Sequence, residues 1–174
     1  EYRNQFLTYL SDFQSPNKPE NLYDPVSYIL ALKGKRIRPI LTLFTCDIFN
    51  DNYEEAYDAA LAVEVFHNFS LVHDDIMDEA PLRRGNATVH KKWDLSTAIL
   101  SGDVMLILAY QLFENYSGDT FVSLAKLFSK TAIEVCEGQQ MDIDFSNRYN
   151  VSAEEYLKMI EYKTAVLIAA SMKM

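Results

Sequence analysis

Apolar residues recur along this chain at helical spacing, and the breaks between the runs are short. Phe6, Leu7, Leu10 and Phe13 predict a short amphipathic helix over residues 1–13. Residues 15–21 carry two prolines and read as a loop. Asp24-Pro25 opens a second helix, with Pro at an early helical position, and Gly34 breaks it after about Lys33. Pro39 starts a strongly apolar helix that runs through about Phe49. A turn at Asp51–Asn52 leads into about seven helical turns, from Tyr53 through the Ala-rich stretch 56–62 to Asp78. Pro81 sets the stop at about Ala80, because the residue before proline avoids the α conformation. Residues 81–93 read as a loop. Asp94 or Ser96 caps a helix to about Tyr116, and after a turn at 117–119 a long helix covers 120–147. Ser152-Ala153-Glu154-Glu155 is a capping box, and the helix it opens continues to Met174 with no stop signal. Strand alternation and short repeats are not visible. The pattern predicts one all-α domain over 1–174, with long, roughly antiparallel helices joined by short loops.

Composition agrees with this and narrows the ligands. A hydrophobic content of 49% is ample for a core, and five Gly with five Pro favours long helices over a loop-rich β fold. The formal net charge of -9 excludes a nucleic-acid surface, which needs a basic field. Basic residues cluster locally at 33–38 and 83–92, which suits small anionic ligands. Cys46 and Cys136 sit in apolar helical contexts and read as buried free thiols in a reducing compartment, with the cytoplasm as the expected location. No signal peptide is visible. The most apolar run, 98–113, is short and interrupted by Asp103, so no membrane span is expected. The chain starts at Glu1 rather than Met, so upstream residues are expected to have been removed.

Candidate chemistry centres on the run 63–78, an amphipathic helix ending in Asp74, Asp75 and Asp78. Asp74 and Asp78 lie one turn apart on one face, where like charges repel and the helix dipole disfavours them. Arg83, Arg84 and Gly85 follow immediately. An anionic helix end before a basic loop suits divalent cations shared between carboxylates and a phosphorylated ligand. Three further patterns accompany it: Gly34-Lys35-Arg36-Ile37-Arg38-Pro39 at a helix start, Gly138-Gln139-Gln140-Met141-Asp142 on a long helix, and Lys163-Thr164 in an apolar helix. Read singly, each has a plainer explanation: a solvated basic turn, a polar helix face, a snorkelling lysine.

Taken in order, the four patterns resemble the trans-isoprenyl diphosphate synthase (polyprenyl synthetase) family, with its GKxxRP, DDxxD followed by RRG, GQxxD and KT hallmarks. The match runs from about Asp24 onward. The resemblance implies an antiparallel helix bundle around a central cavity, the type I isoprenoid synthase fold. It implies Mg²⁺-dependent head-to-tail condensation of isopentenyl diphosphate with an allylic diphosphate, with Mn²⁺ able to substitute, in a homodimer. By motif position Asp74, Asp78 and Asp142 match the metal ligands, with Asp75 supporting them. Arg83, Lys163 and Thr164 match contacts to the allylic diphosphate, and Gln139 faces the developing cation. Lys35, Arg38, His67 and Arg84 match the isopentenyl diphosphate site. Phe69 and Ser70, five and four residues before Asp74, match the floor of the pocket for the growing chain and point to a C20 or C15 product.

The family's second aspartate-rich motif is absent, so the chain is expected to be the N-terminal part of a longer enzyme and incomplete as a bundle. Three rival readings remain beside it. An HD-type phosphohydrolase would need a further histidine upstream of His67, and there is none. A class I terpene cyclase would have no use for a second diphosphate site at Lys35 and Arg38. An inactive or regulatory subunit that binds prenyl diphosphates is the non-enzyme alternative.

Overall fold

Helix α4 (Tyr57–Met77) is apolar on nearly every side from Ala59 to Phe66, a pattern that only a central position satisfies. In the computed structural model, which describes residues 1–13 and 15–174, α4 is the axis of an all-α fold. Helices α2 (Glu20–Ala31), α3 (Ile37–Phe49) and α6 (Leu95–Gln111) pack along it, and α1 (Tyr2–Asp12) lies on α3. The 29-residue α7 (Gly118–Ser146) returns antiparallel and packs on the final segment, which itself closes against α3. A cavity is left between α3, α4, α7 and that final segment. Phe128 ties α7 to α4 and to the end of α6. Its ring meets Phe66 at 5.0 Å, Tyr110 at 4.8 Å and Phe113 at 5.1 Å, all edge-on.

Local signals hold where side chain and backbone meet within one turn. Asp94 accepts from the Thr97 backbone N–H at 2.8 Å and starts α6. Ser152 and Glu155 exchange both bonds of the capping box and start α8 (Ala153–Ile160).

Several expectations need correction. Helix α2 begins at Glu20, not Asp24, so Pro25 lies inside it. One lost hydrogen bond near a helix start is outweighed by burial of Pro25, Val26, Ile29 and Leu30 along one face. Residues 53–56 form a 3₁₀ turn before α4 rather than part of it. Helix α4 stops at Met77, three residues before the stop expected from Pro81. There Glu79 turns left-handed (φ 51°), and the N–H groups of Ala80 and Glu79 bond back to Asp75 and Ile76 in a Schellman-type closure.

The expected loop 81–93 contains a hairpin, β1 (Leu82–Arg83) with β2 (Asn86–Ala87), and a short helix, α5 (Val89–Lys92). Its two-residue turn, Arg84-Gly85, has φ of 53° and 80°, a mirror-image turn that glycine permits at the second position. The last helix is not continuous. A π turn over Glu161–Ala165 separates α8 from α9 (Val166–Ser171).

Neither cysteine is buried: Cys46 is half-exposed and Cys136 exposed, both as free thiols. Leu95–Asn115 is long and apolar enough, by length and composition alone, to cross a membrane, with mean hydropathy 1.5. That differs from the reading of 98–113 as too short. Here Ala98, Met105 and Ala109 are buried against the fold.

Candidate active site

The closure of α4 presents its last carboxylates at the mouth of the cavity, and the hairpin folds back to meet them. Arg83 donates to both oxygens of Asp75, at 2.6 to 3.2 Å, and to Asp74 Oδ2 at 3.2 Å. Asp75, 1% exposed, is therefore the anchor of the hairpin. The pairing holds Arg83 firmly charged, first through its hydrogen bonds to Asp75.

Across the mouth, the π turn carries Lys163. Its Nζ lies 2.5 Å from Asp142 Oδ2 and 3.3 Å from Asp74 Oδ1. Burial opposes its charge, but the Asp142 hydrogen bond and Asp74 hold its pKa above the ordinary lysine value. A π turn inserts one extra residue per turn, which reaches inward at the level of Asp74. Gly138 makes this approach feasible. A Cβ there would sit 2.2 Å from the Lys163 backbone nitrogen.

Lining the cavity of about 370 Å³ are Asp74, Lys163, Thr164 and Gln139 at the mouth and Arg38 and His67 on one wall. Phe69 and Ser70 lie deeper, with Val135 and Leu167 opposite. Phe69 is packed by Phe66 at 5.4 Å and His73 at 4.8 Å.

A second cavity of about 380 Å³ adjoins it, and the two share Arg38 and His67. It is lined by Lys33, Lys35, Arg36, Arg38, His67 and Arg84, so the structure brings together all four residues assigned to one anionic ligand. Arg38 Nε is buried with no hydrogen-bond partner, a donor left for an anion. Burial pushes the His67 pKa down to about 3, and the positive charges of Arg38 and then Arg84 add to the effect. The ring is therefore neutral at pH 7, and its Nε2 accepts from Arg38 Nη1 at 3.2 Å.

This has a consequence for acid stability. The unfolded histidine takes up a proton below about pH 6.5 and the folded one does not, so stability is lost as pH falls from 6.5 toward 3. The slope from this group is at most about 1.4 kcal/mol per pH unit. Urea unfolding at pH 7.5 and 5.0 is expected to show a smaller acid loss in His67→Gln than in the unsubstituted protein. Equal losses would contradict it.

The acidic mouth fits a divalent cation in its chemistry. Asp74 Oδ1 is buried with no donor aligned on it, since Lys163 at 3.3 Å approaches off the hydrogen-bonding direction. Asp78, the C-cap of α4, has its pKa raised, first by partial burial and then by Asp74 and Asp142. Carboxylates crowded enough to repel are relieved by a shared cation. Among the described residues, however, no three such side chains already converge at metal-ligand spacing.

Two residues that carry the site were not given a role from sequence: Arg36 and Glu64, which form a buried ion pair in the lining of the basic cavity. A carboxylate inside the run Ala59–Phe66 was the available signal.

A sequence model described as polyprenyl synthetase matches residues 19–174. A geranylgeranyl pyrophosphate synthase of Geoglobus acetivorans is 39% identical over 164 residues, covering 93% of this chain and 51% of the relative. A geranylfarnesyl diphosphate synthase of Natronomonas pharaonis is 41% identical over 172 residues, covering 88% and 50%. A crystal structure of a geranylgeranyl pyrophosphate synthase superposes with TM-score 0.97 at 56% identity, covering 99% of this chain and 53% of that one. The chain thus spans about half the length of the curated relatives it matches.

Proposed function

The chain belongs to the polyprenyl synthetase family, and from that premise we propose that it supplies the two diphosphate sites of a short-chain prenyl diphosphate synthase. One observation carries the reading. An apolar cavity with an acidic mouth and a polycationic cavity meet at Arg38 and His67, which supports a reading with two diphosphates bound side by side. The allylic substrate places its diphosphate at Asp74, Asp78, Asp142 and Lys163 and its hydrocarbon against Phe69. Isopentenyl diphosphate sits on Lys35, Arg38 and Arg84.

In the reaction the allylic carbon–oxygen bond breaks and pyrophosphate leaves with the electron pair. The isopentenyl double bond attacks the cation, and a proton is then lost to the departed pyrophosphate. Asp74, Asp78 and Asp142 would hold magnesium, which when bound supplies positive charge to the leaving oxygens. Lys163 and Thr164 orient those oxygens. Gln139, whose side-chain nitrogen lies 3.6 Å from Met77 Sδ, faces the cation from α7. The apolar wall of Phe69, Val135 and Leu167 limits the water that would otherwise capture the cation.

The homodimer and the cytoplasmic location belong to this proposal on the family resemblance alone. The same holds for residues 1–174 being the N-terminal part of the synthase domain. The test uses the full natural polypeptide with radiolabelled isopentenyl diphosphate and farnesyl diphosphate. Magnesium-dependent label in a C20 product is expected. Tight binding of both diphosphates without any product would favour the regulatory-subunit reading instead.

Product length offers a second test. Phe69 lies about 7.5 Å along the axis of α4 from Asp74, using a rise of 1.5 Å per residue. Phe69→Ala removes the ring that faces the cavity, and products at least one five-carbon unit longer are expected by chromatography. An unchanged product distribution would rule out Phe69 as the floor.

A further inference from the structure

We propose that the buried Arg36–Glu64 pair is the positioning device of the basic cavity, holding the α2–α3 turn so that its cations converge on a diphosphate. The inference rests on reading that cavity as a diphosphate site.

Arg36 is only 6% exposed and adopts a left-handed backbone with φ of 54°, a conformation that a non-glycine residue keeps only when its surroundings impose it. Those surroundings are specific. Its Nη2 donates to the carbonyls of Leu30 and Leu32, each at 2.7 Å. Its Nη1 pairs with Glu64. The two carbonyls belong to the end of α2, where backbone acceptors have no partner within the helix. One side chain therefore joins the end of α2, the start of α3 and the middle of α4.

The turn so fixed carries Lys33, Gly34 and Lys35, and Arg38 follows as the second residue of α3; all four line the cavity. Glu64 stands three residues before His67 on α4, on the same face, and also accepts from Asn68 Nδ2 at 2.8 Å. The pair thus ties the basic turn to the helix that carries His67 and Asp74. Glu64 is also the one carboxylate among the described residues lining this cavity. Its charge opposes the loss of charge that burial would impose on Arg38 and Arg84.

Neither residue has to touch the ligand for this, so they are positioning residues. A purely structural pair would be replaceable by an apolar pair of similar volume, because buried ion pairs contribute little net stability. The test uses that fact. In the full natural polypeptide, the double substitution R36M/E64L leaves net charge unchanged and removes both members of the ion pair together. The variant is expected to stay folded at 25 °C, with a melting temperature lowered by the loss of the donor to the Leu30 and Leu32 carbonyls. Affinity for inorganic pyrophosphate, measured by calorimetry without magnesium, is expected to fall about tenfold or more.

Arg36→Lys keeps the charge but cannot reach two carbonyls and a carboxylate together, and a similar loss is expected. Unchanged pyrophosphate affinity in either variant overturns the proposal, as does absence of binding by the unsubstituted protein. The readout needs no turnover. If pyrophosphate binding responds as expected but isopentenyl diphosphate is never consumed, the synthase reading falls and this inference stands.

Discussion

Asp74→Ala in the full natural polypeptide is expected to lower turnover by on the order of 10³-fold while leaving isopentenyl diphosphate binding at Arg38 and Arg84 within about threefold. The reason lies in what converges on this carboxylate. Arg83 Nη2 bonds to one oxygen at 3.2 Å, and Lys163 stands 3.3 Å from the other, which has no aligned donor. On the proposed reading, a divalent cation held by this carboxylate would supply positive charge to the leaving diphosphate. Removing the carboxylate takes away a charge interaction that exists mainly in the transition state, so turnover rather than binding suffers. It also leaves Arg83 and Lys163 with less compensation. The side chains are 18 to 28% exposed, so solvent limits the stability cost. Asp74→Asn separates the effects, because it retains size and polarity and loses only the charge. The same large loss of turnover is expected from it. Full activity in either variant would remove the foundation of the proposed function.

Gly138→Ala is expected to destabilise the protein by about 3 kcal/mol, the upper end for overpacking. For a chain of this size that lowers the melting temperature by roughly 6–12 °C. The added Cβ would stand 2.2 Å from the Lys163 nitrogen, 2.6 Å from the Tyr162 carbonyl carbon and 2.7 Å from the Lys163 Cα. All three atoms are backbone, so no rotamer change relieves the clash. Helix α7 and the π turn must separate, which carries the Lys163 ammonium away from Asp74 and Asp142. A displacement of about 1 Å in a positioning group can lower turnover about 10²-fold, and a loss of this order should accompany the destabilisation. Gln140→Ala, two residues on and exposed, is the control and should change the melting temperature by about 1 °C or less. A Gly138→Ala protein with unaltered melting and turnover would show that the close packing of α7 on the π turn has no such role.

The sequence alone determined what depends on neighbours within a turn or two. Helical periodicity, the caps at Asp94 and Ser152, and the pairing of Asp74 with Asp78 on one face are all local, because backbone and side chain meet over three or four residues. The four motifs together carried the family, and the end of α4 was placed to within three residues.

Only the tertiary structure decided how charges were shared. Arg83 belongs to Asp75 as much as to any ligand, and Arg36 reaches Glu64 across 28 residues of sequence. Lys163 meets Asp142 across 21. No periodicity encodes these distances, since each depends on how two helices cross. The same holds for the hairpin at 82–87 and the π turn at 161–165. Both put a cation on Asp74, and contacts made at the mouth of the cavity add to what Gly85 contributes to the hairpin turn.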